Sequence, residues 1–143
     1  MMLRVCKFSR EHIDHLKLMF EFSDAGRKAL VENKEMNGYS LFDQDEVIGI
    51  GGIHNIWSHV GEAWLLLGEY AMATPTSVAR HTAYMFDYLQ EEFEYKRIQA
   101  SIAVTDKKAR RFAEWLGFQN EGVMKKYGPD GTDYYRYARV MKW

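Results

Sequence analysis

Thr105-Asp106-Lys107-Lys108-Ala109-Arg110-Arg111-Phe112-Ala113-Glu114-Trp115-Leu116-Gly117-Phe118 decides how this chain is read. Ala109, Phe112, Ala113 and Leu116 recur at i, i+3, i+4 and i+7, which places one narrow apolar stripe on a helix. Thr105 or Asp106 can cap the first free N–H groups of that helix, and Gly117 stands where a left-handed residue ends it. Phe118 then returns the chain to the core, and a glycine-punctuated hairpin runs from there nearly to Trp143.

Working outward, Arg97 to Val104 alternates through Ile98, Ala100, Ile102 and Val104 as a strand entering this helix. After it, strands over about Glu121 to Tyr127 and Asp133 to Met141 are joined by Gly128-Pro129-Asp130-Gly131, a strong turn signal. Upstream, Thr74-Pro75 reads as an N-cap with proline at the first helical position, followed by a stripe of Val78, Thr82, Met85 or Phe86, Leu89 and Phe93. Glu62 to Ala73 is apolar almost throughout, as a central strand covered on both faces is, and the intervening helix makes it the parallel neighbour of Arg97 to Val104.

The first half is read the same way. Met2 to Phe8 is a strand, and Ser9 caps a helix carrying Ile13, Leu16, Met19 and Phe20. A second helix is expected from Asp24 to about Met36, ended by Asn37-Gly38. Tyr39 to Phe42 and Glu46 to Ile56 form a hairpin around Asp43-Gln44-Asp45. The order βααβββαβαββ calls for one α/β domain over residues 1–143, a mixed sheet with helices on its faces.

That order, together with the closing Ala109, Glu114 and Gly117-Phe118, resembles the GNAT family of N-acyltransferases, whose pattern there is Asn-x-x-Ala-x-x-Leu-Tyr-Glu-x-x-Gly-Phe. The resemblance implies a GNAT-like fold, acetyl-CoA as cofactor and a primary amine on a small molecule or protein as acceptor. It implies that Met72 and Ala73 border the pantetheine arm and that a phosphate-binding turn opens the next helix, where free N–H groups and the helix dipole favour an anion. Laying Pro75 on the family's proline puts Ala79, Arg80, His81 and Thr82 over its glycine motif without one glycine, so Arg80 and His81 are the candidate side-chain phosphate ligands. The family's asparagine falls on Asp106 and its acidic tyrosine on Ala113. Alanine cannot protonate a thiolate, so either Tyr127, Tyr134 or Tyr135 substitutes, with Tyr127 taken as the acid, or the chemistry is gone. Glu69 is the candidate base, because apolar neighbours Leu67, Tyr70 and Met72 would raise its pKa if it faces the cleft.

Composition narrows the partners. A net charge of −1 gives no overall pull toward nucleic acid or acidic membranes, so any such contact would rest on the cluster Lys107, Lys108, Arg110, Arg111, Lys125 and Lys126, and nucleic acid is not expected. One cysteine, Cys6, allows no disulfide within a chain and fits a reducing, cytoplasmic location. His12 and His15 lie three apart with no third ligand nearby, so no metal is expected, and His54 and His59 flank Trp57 in an expected loop. The aromatic content of 15% is assigned to packing, with an aromatic-lined surface for a ligand or partner as the alternative. No segment has the roughly 20 apolar residues of a membrane span. A homodimer is admitted. The lost glycines and tyrosine also resemble a divergent group of bacteriophage GNAT-like proteins, which implies an alternative: a non-catalytic virion or host-binding module.

Overall fold

The computed structural model describes residues 3–9, 11–12, 36–68 and 75–141. Its elements run β1 (Leu3–Lys7), β2 (Met36–Asp43), β3 (Glu46–Trp57), β4 (Val60–Leu67), α1 (Pro75–Glu92), β5 (Arg97–Ala103), α2 (Lys107–Trp115), β6 (Gln119–Met124) and β7 (Tyr134–Val140). The strands form one mixed sheet in the order β1-β2-β3-β4-β5-β7-β6, and its one parallel pair is β4 with β5. The α/β fold expected from the element order is the fold observed, with Glu11 and His12 helical and the remainder of the two early helices outside the described residues.

Two-residue turns set the first hairpins. Gln44-Asp45 joins β2 to β3, with Gln44 at φ 56°, and Ser58-His59 joins β3 to β4, with His59 at φ 70°. The His59 carbonyl accepts from the N–H groups of Lys96 (2.8 Å) and Arg97 (3.1 Å), so the β3–β4 turn holds the entry of β5. Its ring Nδ1 donates to the Glu94 carbonyl at 2.7 Å.

Both described helices pack on one face of the sheet. Phe86 and Leu89 of α1, Ala113 of α2 and Phe118 share a buried cluster with Tyr39, Ile53, Tyr95, Ile98 and Tyr137. Val78 buries against Leu41 and Ile48. On α2 the local signals act as expected: the Asp106 carboxylate accepts from Ala109 N at 3.1 Å, Gly117 takes φ 94°, and Phe118 is buried with its N–H on the Ala113 carbonyl at 3.0 Å. In the last hairpin Gly131 takes φ 83°, and the Asp130 carboxylate accepts from Thr132 N at 3.0 Å. No described helix is long and apolar enough to cross a membrane.

Four expectations fail locally. Met36, Asn37 and Gly38 belong to β2 rather than to a helix end, because Gly38 is needed for close approach: a Cβ there would meet Phe8 Cβ at 3.1 Å and the Gly51 carbonyl at 3.3 Å. His54 lies on β3, leaving only His59 in a turn. Phe93 falls past the end of α1 and is exposed, its place under the helix taken by Gln90, whose amide donates to the Tyr95 carbonyl at 3.3 Å. The aromatic residues divide between Tyr39, Tyr95 and Tyr137 in the core and Trp57, Tyr84 and Trp115 on the surface.

Candidate active site

The two parallel strands part company soon after they meet. β4 and β5 pair at Val60 with Arg97, Gly61 with Ile98 and Glu62 with Gln99, and no further pair joins them. Beyond Glu62, β4 stays bonded to β3 as far as Leu67, and beyond Gln99, β5 stays bonded to β7 as far as Ala103. Along a strand successive backbone groups point alternately to either side. Half of those in Ala63 to Leu67 therefore face the β5 side with no strand partner there among the described residues, and those of Ala100 to Ala103 face the β4 side likewise. These residues are half-buried, so their unpaired groups can bond water or a slender ligand that carries its own amides.

Side chains alternate across the sheet. Ile98, Ala100 and Ile102 point to the face carrying α1 and α2, which sends Ser101 to the opposite one. There a polar cluster bridges the base of the gap. The Glu62 carboxylate accepts from Ser101 Oγ at 3.0 Å and from Arg136 Nη1 at 3.1 Å on Oε1 and 2.8 Å on Oε2. Beside it Arg97 donates to Gln99 Oε1 at 2.9 Å and forms an ion pair with Glu121 at 2.5 Å. That hydrogen-bonded pairing, set against desolvation, raises the Arg97 pKa and lowers that of Glu121. Glu62 and Arg136 stand 74 positions apart in the chain, so only the pairing of β4, β5 and β7 brings them together.

The residues anticipated from sequence fall as follows. Glu69, Met72 and Ala73 lie outside the described residues. Ala79, Arg80, His81 and Thr82 lie beyond the first turn of α1 rather than in a loop, so the free N–H groups of that helix among the described residues belong to Thr76 and Ser77. Arg80 is exposed, and half-buried His81 donates from Nδ1 to the Ser77 carbonyl at 2.7 Å. Thr82 is 1% exposed with its hydroxyl donated to the Val78 carbonyl at 2.8 Å. Asp106 caps α2. Tyr127 is exposed in the β6–β7 loop, its ring centroid 5.4 Å from that of Tyr134, while Tyr135 lies under the Arg110 guanidinium at 4.7 Å. Ala113 sits in the core against α1 and β7, where a tyrosine would overpack. The Glu62, Ser101 and Arg136 cluster is absent from the sequence reading.

Behind β4, the Tyr39 hydroxyl reaches over Gly51, ending 3.2 Å from where a Cβ on that glycine would stand. It is buried without a hydrogen bond of ordinary geometry among the described residues. Burial pushes the phenol well above its ordinary value of 10, and the neighbouring Thr82 hydroxyl offsets only part of this. A raised folded pKa leaves stability untouched below pH 10 and removes it above, where the unfolded phenol ionises and the folded one does not. Tyr39→Phe should therefore match the parent within about 1 kcal/mol at pH 7. Above pH 10 it should lose up to about 1.4 kcal/mol less per pH unit. Urea unfolding between pH 7 and 11 reads this, and parallel curves for the two proteins would refute it.

The chain matches the sequence profile of the acetyltransferase (GNAT) domain over residues 27–137. No curated protein sequence matches it. Among solved structures it is similar to the spermidine N-acetyltransferase SpeG of Vibrio cholerae, as the F149G mutant, with TM-score 0.74 and 16% identity over 96% of this chain and 93% of that one. A ribosomal-protein-S5-alanine acetyltransferase from Vibrio fischeri gives TM-score 0.74 and 18% identity over 96% of this chain and 92% of its own. A protein described as a putative phosphinothricin N-acetyltransferase gives TM-score 0.82 and 12% identity, covering 99% and 100%. At these identities the structural likenesses speak to the fold alone.

Proposed function

Since this chain belongs to the GNAT acetyltransferase family, we propose that it transfers an acetyl group from acetyl-CoA to an amine. The observation that carries the proposal is the separation of β4 from β5 after Glu62 and Gln99. The slot offers unpaired backbone groups to the amides of a pantetheine arm, and α1 begins beyond β4 with free N–H groups at Thr76 and Ser77 and no acidic side chain in its first turn. The residues present thus fit the coenzyme, although the expected glycines are missing.

Bound there, acetyl-CoA supplies a thioester whose C–S bond breaks as the amine nitrogen forms the new N–C bond. Within the proposal Glu69 takes the proton from the amine, directly or through one water, and Tyr127 returns a proton to the departing thiolate. Arg80, and His81 in its protonated form, hold phosphate where family members use glycine backbone. Replacing both with alanine should weaken acetyl-CoA binding by about 1–3 kcal/mol, the scale of hydrogen bonds to charged groups. Unchanged affinity in that double variant would leave the phosphates to the backbone alone.

Isothermal titration of the chain with acetyl-CoA tests the whole reading. Saturable binding with release of free thiol when amines are added supports it. Absence of binding removes it and leaves the non-catalytic module, of bacteriophage type or otherwise, as the reading to pursue.

A further inference from the structure

The two helices turn facing flanks toward each other across the gap, and their contacts to β7 fix which flanks these are. On α2, Arg110 and Glu114 both meet the Tyr137 hydroxyl on β7, at 3.5 and 3.4 Å, and the Arg110 guanidinium also covers the Tyr135 ring. β7 lies beyond β5, on the side away from β4. At about 100° per residue, positions two apart point to opposite sides of a helix. Lys108 and Phe112, each two positions from Arg110, therefore look back toward β4 and α1. On α1, Asp87 is ion-paired with Arg139 of β7, so its flank is the one facing α2, and Arg80, seven positions earlier, shares that flank.

These flanks begin together. β4 and β5 are parallel, α1 follows β4 and α2 follows β5, so both helices start at the end where the strands have parted. Arg80 and Lys108 are exposed there and form no ion pair among the described residues, whereas Arg97, Arg136 and Arg139 are each paired with a carboxylate. Asp106 already occupies Ala109 N, so an anion at this end of α2 is held by side chains rather than by the helix terminus. Further along the flank stands Trp115, seven positions from Lys108. Its ring is stacked on that of Phe112, with centroids 6.1 Å apart and planes at 27°, yet it is 58% exposed, which leaves one indole face open. Seven residues rise about 10 Å, a distance that the long lysine stem shortens to the span of one nucleotide.

Resting on acetyl-CoA as the coenzyme, we propose that this flank of α2 binds its nucleotide end: Lys108 takes the 3′-phosphate, the adenine stacks on Trp115, and Arg80 across the gap keeps the pyrophosphate. An open indole offers a π-face to any base, and an unpaired cation beside it supplies the charge that a phosphate requires. The assignment gives a role to an exposed tryptophan and an unpaired lysine that the packing of α2 does not use.

Isothermal titration compares coenzyme A, 3′-dephospho-coenzyme A and pantetheine 4′-phosphate, which lacks the adenosine altogether. The wild type should bind coenzyme A about tenfold more tightly than the dephospho form, the scale of a charge-assisted contact. Lys108→Gln should abolish that preference and leave affinity for the dephospho form unchanged. Trp115→Ala should weaken both nucleotides by about tenfold, as lost base stacking does, and leave pantetheine 4′-phosphate unaffected. Trp115→Phe, which keeps a smaller ring, should fall between, and thermal melts matching the parent's exclude misfolding. Equal wild-type affinity for coenzyme A and its dephospho form, a preference that survives Lys108→Gln, or a Trp115→Ala loss shared by pantetheine 4′-phosphate overturns the proposal. Failure of all three to bind removes acetyl transfer instead. Adenosine 3′,5′-bisphosphate then decides the flank by itself: binding that Lys108→Gln weakens supports it, and no binding overturns it.

Discussion

Gly52→Ala is expected to destabilise the fold by more than about 3 kcal/mol, beyond the usual range for an added methyl group. A Cβ at this position would lie 2.7 Å from Gly38 Cα and 3.0 Å from the Asn37 carbonyl carbon, overlapping the Asn37 carbonyl oxygen. Every one of these atoms is backbone. Neighbouring strands are spaced at about 4.8 Å, so relief requires β2 to move off β3. That movement would open the packing of Tyr39, Leu41 and Ser40, all buried, and would carry β1 with it. Against a total of roughly 5–15 kcal/mol for a domain, much of the stability goes. Gly49→Ala is the matched control, since its Cβ would meet only the tip of Leu67 at 3.0 Å, and that side chain can turn aside. Urea titration of both separates them, and a Gly52→Ala midpoint close to the parent would show that β2 and β3 yield more readily than their register implies.

Glu69→Gln is expected to lower turnover by about 10²-fold or more while leaving acetyl-CoA affinity nearly intact. Glutamine preserves shape and hydrogen-bonding reach and removes only the basic site, so a loss confined to kcat marks proton removal. Glu62 of β4 is the acidic residue whose carboxylate is already engaged, by Ser101 and Arg136. Calorimetry with acetyl-CoA supplies the binding half of the measurement. Turnover by Glu69→Gln within threefold of the parent, at a concentration well above KM, would take the base elsewhere.

Local chemistry was legible in the sequence where one side chain answers one backbone group. Asp106, Gly117 and Gly131 each do what their types predict, because a cap or a positive φ is settled within a few residues. The adjacency of β4 and β5 was legible too, since a single intervening helix leaves little choice. Asn37-Gly38 misled because glycine serves two ends: a turn needs its φ freedom, and a crowded strand needs its missing side chain, and only the neighbours Phe8 and Gly51 tell which applies. The pairing of Glu62 with Arg136 was illegible for a different reason. Glu62, Ser101 and Arg136 each look like ordinary alternating strand residues, and their meeting depends on β7 inserting between β5 and β6.

The parting of β4 and β5 also bears on how such a protein diverges. Each of the two strands has an edge inside the molecule, so a ligand lying between them is read as a surrogate strand, by the spacing of main-chain groups rather than by the identity of side chains. Substitution leaves main-chain spacing alone as long as the sheet keeps its twist. Recognition of this kind would have no sequence signature to lose, and the fold itself is shared at TM-score 0.82 with a chain of 12% identity.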